Sequence, residues 1–368
     1  MKHPAHILAI SIAALLAGVT SQAATLFYDG TNANVAGNGN GASAGTAGTW
    51  NTTILNWDIG AVAHVAWSNS FADTATFGGT GAAVTVGGTV RVGTLNIASN
   101  SYTFNTGTID FGSGGAGVIN FNTTSNTTFN ALLSGVVKIQ ATGNLVPQST
   151  GPLATIAGNN TGLTSTELSL NLDTNSIYIN NAGAFGSNGA AVKLTKGVLN
   201  LGTVAPPSSP AISYNAWATE LAGASIRARF GASTWTGATS LSANSNLIAR
   251  GQSGAGISLT FSSAATINLN ASTLTLDADS LSSGITLNGV ISGSGNIKTD
   301  SLSATVGGNG GGVSTLTAAN TFSGTATTTL NRGTLALANV NALQNATLDT
   351  GASAGSQAVT FTVAGTNT

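Results

Sequence analysis

Two short stretches carry charge at a spacing from which chemistry could be built. Asp277-Ala-Asp279 and Arg227-Ala-Arg229 each repeat one charge at i and i+2. On a strand those positions project to one face, about 7 Å apart. Two carboxylates so placed can share a calcium ion or work as an acid–base pair, with an arginine pair supplying the cation. A polysaccharide lyase or hydrolase would need that set gathered in one groove. The bland reading stands beside it: solvated charges at strand ends. A calcium cage needs more oxygen ligands than two carboxylates, and the chain holds 11 acidic residues in all.

Other routes to catalysis are narrow. Cysteine is absent, and once a leader carrying His3 and His6 is removed the one histidine is His64. Zinc asks for three or four ligands, which one histidine without cysteine does not supply. A Ser-His-Asp triad would have to use His64, and no nucleophile-elbow glycines stand near it. Gly112-Ser-Gly-Gly-Ala-Gly117 and Gly307-Gly-Asn-Gly-Gly-Gly312 lack the Gly-Lys-Ser/Thr of a phosphate loop and read as turns. Gly310-Gly-Gly-Val313 lacks the aspartate of a calcium-binding glycine repeat. No catalytic, metal-binding or cofactor-binding residue is assigned, and no cofactor is expected. The expected role is non-enzymatic, with the lyase or hydrolase as the alternative.

Aromatic residues concentrate between Thr25 and Phe77, where Phe27, Tyr28, Trp50, Trp57, Trp67, Phe71 and Phe77 fall. Trp50, Trp57 and Trp67 could stack on sugar rings. They could equally form a hydrophobic cap over the open end of a stacked fold, because terminal repeats must cover what inner repeats leave bare.

From Ala83 onward the pattern is one of short alternating runs. Val84-Thr-Val86, Val90-Arg-Val92, Leu95-Asn-Ile97 and Tyr102-Thr-Phe104 place apolar residues at period two, with Gly87-Gly88, Gly93 and Asn100 between them as turns. The same pattern returns in Leu168–Leu172, Ile257–Phe261 and Leu274–Leu276. Such strands are too short for a sandwich and fit the rungs of a solenoid. The fold expected is all-β, a right-handed parallel β-helix with an aromatic-rich N-terminal cap. At about 22 residues per rung the mature chain gives about fifteen rungs, a rod on the order of 70 Å. Ala205-Pro-Pro-Ser-Ser-Pro210 interrupts the ladder as a loop, and Tyr214 to Leu221 is the one stretch read as a short helix.

The unit Thr315 to Leu337 carries a resemblance. Asn320-Thr-Phe-Ser-Gly324 followed by Arg332-Gly-Thr-Leu-Ala-Leu337, with the approach Leu287-Asn-Gly-Val-Ile-Ser-Gly-Ser-Gly295, resembles the autotransporter-associated β-strand repeat of bacterial passenger proteins. The match covers roughly Gly284 to Ala342. An older copy reads Leu132-Leu-Ser-Gly135 then Ala157-Gly-Asn-Asn-Thr-Gly162, in the same order as Val290-Ile-Ser-Gly293 then Ala319-Asn-Thr-Phe-Ser-Gly324. The resemblance implies a surface passenger of a Gram-negative bacterium that would continue into an outer-membrane barrel or a sorting tail. Membrane attachment would then run through a C-terminal region missing here.

Composition and the N-terminus fit export. Residues 1–23 join Lys2, an apolar run from Ile7 to Val19 and the small-x-small site Ser21-Gln-Ala23, as in a signal peptide. That run is too short to span a bilayer, which takes ~20 residues as a helix. Residues 24–82 read as the cap segment and 83–368 as the repeat region, incomplete at its end. Charged residues make up 6% of 368, and the formal net charge is −1. That balance carries no nucleic-acid signature. The expected partners are glycans or neighbouring cell surfaces, met through a long uncharged Ser/Thr/Asn face at the cell surface or outside it.

Overall fold

The computed structural model describes residues 23–32, 39–60, 63–115, 117–123, 126–142, 152–171, 175–202, 211–250, 257–278, 282–299, 312–322, 327–330, 334–344, 346–349 and 360–363. The leader residues 1–22, the proline-rich stretch 205–210, Asp279, residues 307–311 of the second glycine run, and the repeat positions Gly324, Asn331, Arg332 and Gly333 lie outside them.

The chain folds as a parallel β-helix. Two sheets of 15 and 13 strands run along it, and a third of seven strands starts at Ile212–Ser213 and continues to Thr360–Val363. Successive strands of one sheet come from successive turns of the chain and pair in parallel. Alternation decides which side chains face inward. Thr94–Ile97, Thr103–Asn105 and Ser258–Phe261 each bury every second residue. Stacking then lines the buried positions into columns. Leu95, Ile119, Ile139, Leu168, Leu194, Leu221 and Leu241 follow one another in register down the first sheet. Trp235, Phe261, Leu287 and Leu316 do so in the third. One continuous core results.

The rungs are longer than the sequence suggests. The second sheet holds 13 strands among the described residues, against about fifteen rungs expected. Inter-strand loops vary in length, so Leu221 stacks on Leu241 after a short excursion and Ile139 on Leu168 after a longer one. One strand serves two stacks: Leu132–Ala141 pairs with Thr108–Asp110 through its first residues and with Gly117–Phe121 through its last. The register of Leu132–Ala141 against the next rung shifts between Gly135 and Val136. Gly135 has a φ of 91°, and a Cβ there would come within 2.2 Å of the Gly112 carbonyl oxygen, so glycine is required.

The stretch Tyr214 to Leu221 is not a helix. Its second half is the strand Ala218–Ala222, whose Leu221 registers with Leu194 and Leu241. Tyr214 and Trp217 are buried among Phe185 and Trp235, with the Trp217 and Trp235 rings 5.3 Å apart. Both rings sit in the short connection between Ile212–Ser213 and Ala218–Ala222, where the Tyr214 amide donates to Thr234 of the next rung and the Trp217 amide to Asn215.

At the N-terminal end the chain turns back on itself. Trp57–Asp58 pairs antiparallel with the first strand, Thr25–Tyr28, and Val65 pairs antiparallel with Trp57. The outer edge of the first parallel strand is thereby occupied. The parallel ladder is already running at that point, since Thr25–Tyr28 pairs with Thr74–Phe77 and Gly48–Trp50 with Ala83–Val86.

Candidate functional site

The outer face of the second sheet gathers most of the residues singled out for chemistry. Tyr178, Asn200, Arg227, Ile248 and Asp277 occupy one register position in five successive strands. Asp277 therefore stands two rungs from Arg227, about 10 Å at the usual strand spacing. Its carboxylate is 1% exposed and lies 3.9 Å from Nη2 of Arg250. The i, i+2 spacing groups Asp277 with Asp279 and offers Arg227 and Arg229 as their cationic partners. The structure instead sets it beside Arg250, and Asp279 lies outside the described residues. A carboxylate this enclosed is poorly placed to meet a polymer in a groove. Among the described residues no group of three or more His, Asp or Glu could hold a metal ion.

Arg227 and Arg229 do come together, with partners the sequence did not suggest. Arg227 donates through Nε to Oδ1 of Asn200 at 2.5 Å. Arg229 donates through Nη1 to the Tyr178 hydroxyl at 2.6 Å, and its guanidinium lies 5.8 Å from the Tyr178 ring centre and 5.4 Å from that of Phe230. Burial, reinforced by the charges of Arg229 and Arg250, draws the Arg227 pKa down to about 10, while Tyr178 opposes the change. Burial pushes the Tyr178 phenol upward against the pull of Arg229 and Arg227.

Trp50, Trp57 and Trp67, the candidates for sugar stacking, lie inside the N-terminal end of the core. They are 0%, 0% and 2% exposed, and their faces meet other rings. Trp57 and Trp67 have ring centres 4.7 Å apart, Trp50 and Trp67 5.3 Å, and Tyr28 and Phe77 join the same cluster. From Phe77 the contacts continue through Phe104 to Phe129, whose rings stack 5.1 Å apart. A pyranose could reach such a face only by opening the end of the core. The rings act as packing.

His64 belongs to that end too. Its Nε2 lies 2.7 Å from Oδ2 of Asp29, and both side chains are buried. Asp29 also accepts from the amide of Ala44, Asp58 from Gly41 and Gly60, and Asp73 from Ala24. Three buried carboxylates thus satisfy backbone donors where the chain turns back. Ser43 on that loop donates to the Tyr28 carbonyl.

The outer faces hold two ladders that a single-sequence reading passed over. On the first sheet Lys138, Glu167, Lys193 and Glu220 share one register column and alternate in sign. Lys138 and Glu167 approach to 3.0 Å, Lys193 and Glu220 to 3.1 Å. Both glutamates of the chain are in it. Unequal spacing between the four residues hides the column from any fixed-period search. On the third sheet Thr234, Thr260, Thr286 and Thr315 align in the same way, half-exposed between buried neighbours. Beside them Thr317 donates to Asn288 at 2.8 Å.

Among the described residues no helix is long and apolar enough to cross a membrane, which says nothing of membrane-crossing β-barrels. No family model and no solved structure matches the chain. The chain is 28% identical over 210 residues to the "Adhesin BmaC autotransporter" of Brucella suis biovar 1 (strain 1330), an alignment that takes in 53% of this chain. It spans only 6% of that protein's length.

Proposed function

We propose that the chain is an exported surface passenger that acts by adhesion, presenting the outer faces of its β-helix to glycans or neighbouring surfaces. The observation that carries the reading is the threonine column Thr234, Thr260, Thr286 and Thr315, an uncharged row of hydroxyl and methyl groups repeated over four consecutive rungs. Each hydroxyl offers one weak hydrogen bond, and repetition along a rigid axis turns weak contacts into avidity. The similarity to an autotransporter adhesin supports the same class. Export would follow the leader at residues 1–23, and secreted material would then begin at Ala24 or within a residue or two of it. The alternative, a lyase or hydrolase built on Asp277, loses support from the burial of that carboxylate.

The test is retention of beads coated with the full chain on an array of neutral and acidic polysaccharides and on intact cells. Thr260→Lys with Thr286→Lys, which breaks the uncharged row without touching the core, should lower retention several-fold. Retention no greater than that of bare beads on every surface would overturn the adhesive reading. Release of unsaturated or reducing sugar ends that disappears in Asp277→Ala would establish the enzymatic alternative.

A further inference from the structure

Three of the chain's five arginines, Arg227, Arg229 and Arg250, sit on one outer face in a protein of which only 6% is charged. Like charges are costly to assemble, and the usual remedy is an acidic partner. Arg250 has Asp277 beside it at 3.9 Å. For Arg227 and Arg229 no described carboxylate lies within ion-pair distance, and both meet neutral groups, the Asn200 amide oxygen and the Tyr178 hydroxyl. Arg227 and Arg229 follow one another at i and i+2, so their heads share a face. Both remain half-buried rather than sealed.

A second observation points the same way. The Asn200 oxygen is taken by Arg227, which leaves the amide nitrogen of the same side chain beside that contact. That nitrogen is fully buried and has no hydrogen-bond partner. A buried donor without an acceptor is expensive to keep. Among the described residues the cluster thus offers two guanidinium groups and an idle amide N–H₂, met by the Asn200 oxygen and the Tyr178 hydroxyl. The depressed basicity of Arg227 has the same origin, since burial and neighbouring cations both oppose its charge.

We propose that Arg227, Arg229 and Asn200 form an oxyanion site that takes a carboxylate or sulfate group. Guanidinium forks bind planar and tetrahedral oxyanions through paired N–H donors, and the Asn200 amide supplies a further donor on the buried side. The ligand's charge takes the place of the acidic partner that Arg227 and Arg229 lack among the described residues. The anion can arrive free in solution or carried on an acidic polysaccharide. The site lies on the second sheet, apart from the threonine column on the third, and it does not depend on the adhesive reading.

Titration calorimetry on the full chain tests it with three probes: inorganic sulfate, an oligogalacturonate, and a neutral oligogalactose of equal length. The acidic oligosaccharide should bind at least about tenfold tighter than the neutral one, a difference of ~1.4 kcal/mol. Sulfate should compete with it, and sulfate binding alone would assign the site to a free anion. Arg227→Gln and Arg229→Gln should each weaken binding about tenfold or more. Asn200→Asp is nearly isosteric and supplies an internal anion. It should abolish binding and raise the melting temperature even if the arginine variants fold poorly. Equal affinity for the neutral oligosaccharide, undiminished binding in folded Arg227→Gln, or a lower melting temperature in Asn200→Asp with binding retained would overturn the proposal.

Discussion

Asn160 and Asn320 hold equivalent places in two distant turns of the solenoid, and each ties three rungs together. Asn160 accepts from the Leu133 amide and donates to the Ala184 carbonyl, both at 2.8 Å. Asn320 does the same with Ile291 and Ala342, again at 2.8 Å for both bonds. The surrounding backbone agrees: the Asn160 amide donates to Gly183 and the Asn320 amide to Asn341. Leu133 and Ile291 stand in the matched stretches Leu-Leu-Ser-Gly and Val-Ile-Ser-Gly, whose last glycines, Gly135 and Gly293, have φ of 91° and 96°. A short polar side chain here replaces ladder bonds that the chain forfeits while turning.

Removing either clasp should therefore be costly. Asn160→Ala or Asn320→Ala leaves one buried amide and one buried carbonyl unpaired, which costs about 2–4 kcal/mol. Asn160→Asp should cost at least as much, because a carboxylate cannot donate to Ala184 and is buried as a charge. Denaturant unfolding of each variant measures the loss, and amide exchange should quicken first at Leu133 or Ile291. Unchanged exchange at those amides would show that the clasp is dispensable.

The charge ladder predicts a salt-dependent response. Lys193→Glu would set three like charges in consecutive rungs with Glu167 and Glu220, destabilising the fold by roughly 1 kcal/mol at low salt and less at high salt. Lys193→Ala should cost only a few tenths of a kcal/mol, as exposed pairs do. Melting temperatures at two ionic strengths separate the cases.

The same ladder sets a pH dependence. Hydrogen bonds from Ser242 and Lys193 hold the Glu220 carboxyl below its ordinary range. A depressed carboxylate pKa contributes stability above the unfolded value, ~4.3, and that contribution is lost as pH falls through the folded pKa. Ser242→Ala should flatten this part of the stability profile between about pH 5 and 3. A profile of unaltered slope in that window would contradict it.

Tyrosines give the opposite sign at alkaline pH. Burial raises the phenols of Tyr28 and Tyr214, and that of Tyr102 to about 12. Their contribution is fully present below the unfolded value near 10 and is lost as pH rises through the folded values. Absorbance titration should show these phenols ionising together with unfolding. Tyr28→Phe should be tolerated with little loss, since the Tyr28 hydroxyl is buried without a partner.

All five tryptophans are fully buried. Native fluorescence should be blue-shifted and nearly inaccessible to acrylamide, and no saccharide should alter it. Trp50→Ala or Trp57→Ala should cost about 3–5 kcal/mol and loosen the N-terminal rungs before the rest. Strong quenching of the native chain would contradict the packing of the cap.

The local half of this structure was legible in the order of residues alone. Side-chain direction alternates with each residue of a strand, so Val84, Val86, Leu95 and Ile97 could be placed inward from their order alone. Lack of charge and short apolar runs sufficed for a stacked, all-β chain. Which residue stands on which was settled by the stacking of the rungs. That depends on the length of every intervening loop, a long-range quantity that no local period contains. Hence Lys138, Glu167, Lys193 and Glu220 form a column that spacing conceals, and Asp277 meets Arg250 rather than Arg227. The same holds for Tyr214 to Leu221, where Leu194 and Leu241 on either side recruit Leu221 into a strand. Burial of the tryptophans was likewise a tertiary matter, because a ring suited to a sugar is equally suited to another ring. The end of the core supplied the ring first.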